Sequence, residues 1–446
     1  MQRPSAQSIE RLEQALAADP NDLPLLSQLA NTLVNANRPA ESLPLFAHAM
    51  QLSPNDPRLL NDRALALTAL GRFDDARTDL AAALREDPGF VPAHNNLANL
   101  FIMMGRHQEA LTSLDIALML DPTHASALRN RGIAHLSLGD FDGGRDDYER
   151  ACTAFPDSPL PCPEWTGQAL AGKRLLLLTS RHGLGDTIQF VRFAPQLQSR
   201  GAQIIIQCAM PLAELLRGAP GVDELITHTE PLPRADYSLQ LVSLLRVLKI
   251  TLDTIPAAVP YITADARRVE YWRGRLAQLR KPNHKLIGIA WQGNPHHQWD
   301  QFRSAPLQEF ALLTELPNMQ LVSLQRGPGV EQIPAFQQLT QNALLLPTAG
   351  EQTEPAHLAD AAAIIANLDA LVTVDTFTAH LAAAMAKPVL VALSTVADWR
   401  WLTDRTDSPW YPTLRLFRQQ KLNDWPDVFR RIAEFLRNDK GAMIAE

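Results

Sequence analysis

Residues 93–122, "AHNNLANLFIMMGRHQEALTSLDIALMLDP", decide how the first third of the chain is read. Two stretches of helical period flank Gly105, and Pro122 ends the second of them. The same register recurs along the chain. Pro20, Pro54, Pro88, Pro122 and Pro156 are each 34 residues apart, as are Ala49, Ala83, Ala117 and Ala151. Gly71, Gly105 and Gly139 keep that spacing, preceded by Asn37, and Ala30, Ala64 and Ala98 are followed by Gly132. Each unit therefore has small residues where two helices touch, a turn residue between them and a proline that stops the second helix. Units of this kind bury their apolar faces by stacking into a superhelix.

The pattern resembles the tetratricopeptide repeat. The resemblance implies four full repeats from Leu23 to Pro156, with "SIERLEQALAADP" as the second helix of a partial repeat before them, and a concave groove lined by the first helix of each pair. At the groove-facing sixth position stand Gln28, Asp62, Asn96 and Asn130, with Asn31 and Asn99 one turn further on. An amide donates and accepts at once, so this ladder is expected to hold an extended protein or peptide through its backbone. The alternative is a row of solubilising polar residues.

Composition narrows the function classes. A formal net charge of −7 leaves no basic surplus for general nucleic-acid binding. Cys152, Cys162 and Cys208 have no metal-ligand spacing and are odd in number, which points away from a disulfide framework or a zinc site. No apolar run approaches the roughly 20 residues of a membrane span, and "MQRPSAQSIERLEQ" has no signal-peptide core, so a cytoplasmic location is expected.

Four prolines within "PDSPLPCPEWTG" end the periodic pattern, giving a repeat array over 1–156 and a stiff linker over 157–168. Beyond it, "KRLLLLTS", "GDTIQFVRFAPQLQSRG" and "AQIIIQCA" read as strand, helix, strand, the βαβ sign of a parallel sheet. A second set, "LIGIAWQG", "MQLVSLQ", "LDALVTVDT" and "PVLVALS", follows the amphipathic segment "RRVEYWRGRLAQLRKPNHK", suited to bridging two lobes. The expected lobes are 169–265 and 266–446, the latter with a closing helix near "WPDVFRRIAEFL" and ligands bound in the cleft between the lobes.

Gly183 and Gly185 invite a dinucleotide reading, which fails because Ile188 stands where the third glycine belongs and "QCAM" lacks the acidic residue. The loop instead offers close backbone approach and a carboxylate, Asp186, either a helix cap or a catalytic base. In "VTVDTFTAHLAAAMAKP" a strand ends at Asp375 and a helix begins with Thr376, Thr378 and His380, an anion site suited to a diphosphate. His380 has a packed alternative. "AWQGNPHHQWDQFRSAPL" adds Gln292, Asn294, His297, Arg303 and Ser304, where Arg303 either forks onto phosphate or pairs with Asp300.

Asp375, Thr376 and His380 within "VDTFTAHLAAAMAKPV", together with "GLGD", resemble glycosyltransferase family 9, the ADP-heptose heptosyltransferases. A closer resemblance is to bacterial proteins that join tetratricopeptide repeats to such a domain and carry "GLGDTIQF", the Gly293–Ser304 motif and "DWRWLTDRTDSPWYP". This implies an α superhelix followed by an α/β GT-B fold of two Rossmann-like lobes. It also implies Asp186 as general base, with the helix start at Asp375 to His380, Arg303 and His297 on the leaving diphosphate, no metal and no bound cofactor. The "DWRWL" and "SPWYP" segment either shapes the donor pocket or packs in the core. The expected activity is transfer of a sugar from an ADP-sugar or other nucleotide-sugar donor to a hydroxyl, on a protein captured by the repeats, with flagellin or another surface protein as acceptor by analogy. The alternative is a non-catalytic adapter with a vestigial or nucleotide-sensing second domain.

Overall fold

A computed structural model of the chain describes residues 6–153, 160–179, 183–295, 297, 299–341, 343–347 and 357–438. It divides into two compact units, Met1–Phe155 and Pro156–Glu446.

Among the described residues, the first unit is a helix followed by four helix pairs: α1 (Ala6–Ala18), α2 (Leu23–Asn35), α3 (Pro39–Leu52), α4 (Pro57–Ala69), α5 (Phe73–Glu86), α6 (Val91–Met103), α7 (His107–Leu120), α8 (Ala125–Ser137) and α9 (Phe141–Thr153). The 34-residue register reappears as geometry. Asn37, Gly71, Gly105 and Gly139 all have φ between 63° and 81°, the left-handed turn between the helices of a pair. Ala30, Ala64, Ala98, Ala49, Ala83 and Ala117 are fully buried at the crossings. Arg38–Glu41, Arg72–Asp75 and Arg106–Glu109 repeat an ion pair at the start of each second helix.

Gly132 occupies the tightest crossing. A Cβ there would stand 2.6 Å from the backbone nitrogen of Tyr148 and 2.9 Å from the carbonyl oxygen of Gly144. Neither is the end of a side chain that could swing aside. Gly132→Ala is therefore expected to cost about 2–3 kcal/mol, because α8 and α9 must separate. Thermal unfolding of the first unit, followed by helical circular dichroism, would show no shift if the crossing were loose.

The second unit contains two parallel sheets. One, in the order β3-β2-β1-β4, comprises β1 (Arg174–Leu178), β2 (Gln203–Cys208), β3 (Glu224–Thr227) and β4 (Tyr237–Gln240). The other, in the order β10-β9-β8-β5-β6-β7, comprises β5 (Lys285–Ala290), β6 (Met319–Ser323), β7 (Leu344–Leu345), β8 (Ala370–Val374), β9 (Val389–Leu393) and β10 (Leu414–Arg418). Each sheet is doubly wound, and in each the direction of winding reverses beside its first strand: between β1 and β4, and between β5 and β8. This is the two-lobed GT-B architecture. The helix Trp425–Asn438 lays Val428, Phe429, Ile432 and Leu436 into the core of the larger sheet.

Two details differ from the sequence reading. The helix expected over "GDTIQFVRFAPQLQSRG" is broken into Leu184–Phe190, a 3-10 turn Val191–Phe193 and Ala194–Gln198, since Pro195 has no amide hydrogen to continue the ladder. Residues 157–159 of the expected linker lie outside the described residues, and from Leu160 the chain runs along the edge of β4. There Trp165 donates to the Ser238 carbonyl at 3.1 Å, Ser238 donates to the Pro163 carbonyl at 3.0 Å, and the Trp165 side chain is fully buried. The helix Ala266–Leu279 makes contacts to both sheets' helices: Arg268 pairs with Glu214 on one side (2.8 Å) and Asp360 on the other (2.9 Å).

Candidate active site

Ligands of doubly wound sheets lie beyond the carboxyl ends of the strands flanking the reversal. At those ends stand the segments singled out in the sequence. The glycine loop follows β1, "QGNPHHQWDQFRS" follows β5, and Asp375 with Thr376 follows β8. The two lobes meet there. A Cβ on Gly185 would lie 2.9 Å from His380 Cδ2, so glycine is what lets the helix Leu184–Phe190 rest against the helix Phe377–Ala384.

Asp186 is the acidic residue of that first helix. Residues 180–182 before it lie outside the described residues. The Gly183 amide donates to Asp186 Oδ2 at 2.9 Å, so the carboxylate closes the first turn and sits at the positive end of the helix. Its other oxygen, Oδ1, meets Arg400 Nη2 of the opposite lobe at 2.6 Å. Arg400 is 7% exposed in its side chain and is held on every edge of its guanidinium. Nε donates to Gln189 Oε1 at 2.5 Å, Nη1 to Asp398 Oδ1 at 2.8 Å, and the plane lies 4.5 Å from the Trp399 ring.

His380 takes the packed arrangement. It is buried, stacked on Trp401 with ring centroids 5.1 Å apart, and its Nδ1 lies 2.9 Å from the Tyr411 hydroxyl. Arg192 orders this network. It can only donate, and gives Nη2 to the Tyr261 hydroxyl at 2.6 Å; Tyr261 donates onward to Tyr411 at 3.5 Å, and Tyr411 to His380. The imidazole proton is then left on Nε2, the edge nearest Gly185. Burial, then Arg400, push His380 down to about 3, so it is neutral at pH 7 and brings no positive charge to a diphosphate. Trp399, Trp401, Trp410 and Tyr411 are all buried, which assigns the aromatics of "DWRWL" and "SPWYP" to packing.

The remaining residues form a braced rim. Burial, then Asp398, raise Asp375 to about 6, against the pull of Arg303, Trp401 and Arg400. Thr376 begins the helix without capping it by its side chain; its hydroxyl is 3.3 Å from that of Thr373, and Thr378 is buried. Arg303 adopts the pairing alternative, with Nε 3.1 Å from Asp300 Oδ1. Ser304 Oγ accepts from the Gly293 amide at 3.0 Å, and the amides of Trp291 and Gln292 both donate to Gln325 Oε1 at 3.1 Å. The His297 amide donates to the Asn294 carbonyl at 2.9 Å. Desolvation and Arg303 hold the His297 ring below the ordinary histidine value, against Asp398, Asp300 and Asp186.

In the repeats an amide ladder runs through Asn96 and Asn130 of the expected row, but it closes on itself. Asn130 donates to Asn95 (3.0 Å), Asn95 to Asn96 (3.3 Å), Asn96 to Asn61 (2.8 Å) and Asn61 to Asp62 Oδ1 (3.0 Å). Asn31 donates to Asp62 Oδ2 at 2.7 Å. The chain is polarised, every amide pointing its hydrogens towards one carboxylate. Asn99 instead turns to Met103 Sδ at 3.8 Å, and Gln28 is exposed. The fifth-position residues Asn61 and Asn95, absent from the sequence reading, are the links, and their spacing of one repeat was the available signal. Arg400 and Gln189 were likewise missed as site residues. Both lie inside quoted motifs, but nothing local ties one motif to the other.

No group of three or more His, Cys, Asp or Glu side chains able to hold a metal ion occurs among the described residues. Nor is any described helix long and apolar enough to cross a membrane.

Residues 27–89 and 95–159 match the tetratricopeptide repeat family model, so the chain carries a tetratricopeptide array ahead of its two-lobed α/β unit. A curated relative, Protein FlbA of Caulobacter vibrioides, is 28% identical over 327 residues, 68% of this chain and 53% of that protein; the chain thus spans about half its length. Among solved structures, the E. coli ADP-heptose lps heptosyltransferase II is 18% identical with a TM-score of 0.43, covering 61% of this chain and 98% of that one. A mutant of the Thermobaculum terrenum O-GlcNAc transferase is 16% identical with a TM-score of 0.36, covering 95% of each chain.

Proposed function

We propose that this protein is a glycosyltransferase that moves a sugar from a nucleotide-diphosphate donor to a hydroxyl, on a protein segment held by the tetratricopeptide repeats. The observation that carries the reading is the meeting of the two reversal points: the helix that bears the Asp186 carboxylate in one lobe rests, through Gly185 and His380, against the helix of the other lobe that opens uncapped at Thr376. The acceptor oxygen attacks the anomeric carbon, the bond from that carbon to the diphosphate oxygen breaks, and Asp186 takes the hydroxyl proton. The amides at Thr376 to Thr378, with Arg303 and the rim of Gln292, Asn294, His297 and Ser304, receive the charge developing on the diphosphate. His380 serves as a neutral hydrogen-bond donor through Nε2. The donor is an ADP-sugar or another nucleotide sugar, and a surface protein such as flagellin is the acceptor by analogy.

The test is incubation of wild type and Asp186→Ala with a panel of nucleotide sugars and host-cell lysate, followed by mass spectrometry of proteins. Sugar mass is expected on a protein with the wild type alone. Equal labelling by both would remove Asp186 from the mechanism. Nucleotide binding without transfer from any donor would support the sensing adapter instead, a reading favoured by the engagement of Asp186 with Arg400.

A further inference from the structure

The sequence motifs "GLGDTIQF" and "DWRWL" lie more than 200 residues apart and belong to opposite lobes, yet they form one hydrogen-bonded unit. Asp186 and Gln189 are three positions apart on one short helix, so both side chains leave the same face. Each takes a different edge of the Arg400 guanidinium, at 2.6 and 2.5 Å, while Asp398 takes a third at 2.8 Å and Trp399 covers the plane. A planar fork with fixed donor directions matches such a set; an ammonium would satisfy only part of it. Because Gln189 is fully buried and Arg400 nearly so, the guanidinium cannot turn to find other partners without leaving the cluster.

We propose that Arg400 is the positioning residue for Asp186, clamping its carboxylate from the opposite lobe so that the proposed base has its working orientation only when the lobes are closed. The inference rests on the glycosyl-transfer reading. Asp186 has one oxygen fixed by its own helix through Gly183 and the other fixed by Arg400, so the side chain cannot rotate while both hold. Opening the lobes withdraws Arg400 and frees one end. Proton acceptance is thereby confined to the closed state, where water has least access to the donor sugar. Among the described residues, the charged and titratable groups seen to act on or through Asp186 include Arg400, Asp398 through Arg400, His297 and His380.

The test uses the full chain with Arg400→Lys, which keeps the charge and loses the fork, and Arg400→Met, which loses both. Carboxyl-carbon NMR, with the Asp186 signal assigned by Asp186→Asn, is expected to show Asp186 titrating at least one pH unit higher in Arg400→Met than in wild type, with Arg400→Lys between. With ADP-glucose, UDP-N-acetylglucosamine and GDP-mannose as probe donors, Arg400→Lys is expected to lower kcat at least tenfold while KM for the donor stays within threefold. An Asp186 titration unmoved in both variants, or wild-type kcat in Arg400→Lys, would overturn the clamp. If Arg400→Met does not fold, Arg400→Lys carries both readouts. Undiminished transfer by Asp186→Ala would instead sink the transferase role of Asp186, while the titration would still decide whether the clamp exists.

Discussion

Arg400→Met is expected to lower the stability of the second unit by about 3 kcal/mol. Breaking a buried ion pair by removing one partner strands the other, typically at about 3–5 kcal/mol. Here Asp186 is 30% and Asp398 39% exposed in their side chains, so water reaches both carboxylates and the lower figure applies. Gln189 has no such relief: its Oε1 loses its donor in a fully buried position. All eight tryptophans lie in the second unit, so the urea midpoint followed by tryptophan fluorescence reports on that unit alone. A midpoint within experimental error of wild type would mean that the lobe contact does not depend on the guanidinium.

His380→Gln is expected to change how stability depends on pH. The imidazole of the unfolded chain takes a proton near 6.5, whereas in the folded protein it stays neutral down to about 3. Between those values the unfolded state binds the extra proton, so this residue's contribution falls as pH drops below 6.5, by about 1.4 kcal/mol per unit. Asp375 works in the opposite sense. Its folded value of about 6 lies above the ordinary 3.8, so the folded state holds the extra proton between them and gains stability as pH falls through that window. Wild type carries both slopes and they nearly cancel; the glutamine variant carries only the second. The wild-type advantage over His380→Gln should therefore shrink steadily from pH 6.5 to 4.5. Parallel urea midpoints across that range would show that His380 is not held neutral.

Much of the architecture was legible locally. The proline, glycine and alanine spacings foretold the left-handed turns and alanine crossings of the repeats, because a helix pair records its own contacts every 34 residues. The buried strands "RLLLL" and "ALVTV" were equally plain, as continuous apolar runs that no other element explains. The strands that escaped a separate reading, Glu224–Thr227, Tyr237–Gln240, Leu344–Leu345 and Leu414–Arg418, are short edge strands with mixed burial, where periodicity is weakest.

The chemistry of the site divides differently. Sequence alone determined which residues stand at the carboxyl ends of the strands, since strand, loop and helix follow one another along the chain: Asp186 after β1, Gln292 to Ser304 after β5, and Asp375 to His380 after β8. Only the tertiary structure decided what those residues touch. Arg400 on Asp186, Tyr411 on His380 and the closing of the asparagine ladder on Asp62 depend on which distant backbone segments become neighbours, and burial then sets the charge that each group can carry. A local pattern can place a carboxylate at the mouth of a helix, but its partner is chosen by the packing of one lobe against the other.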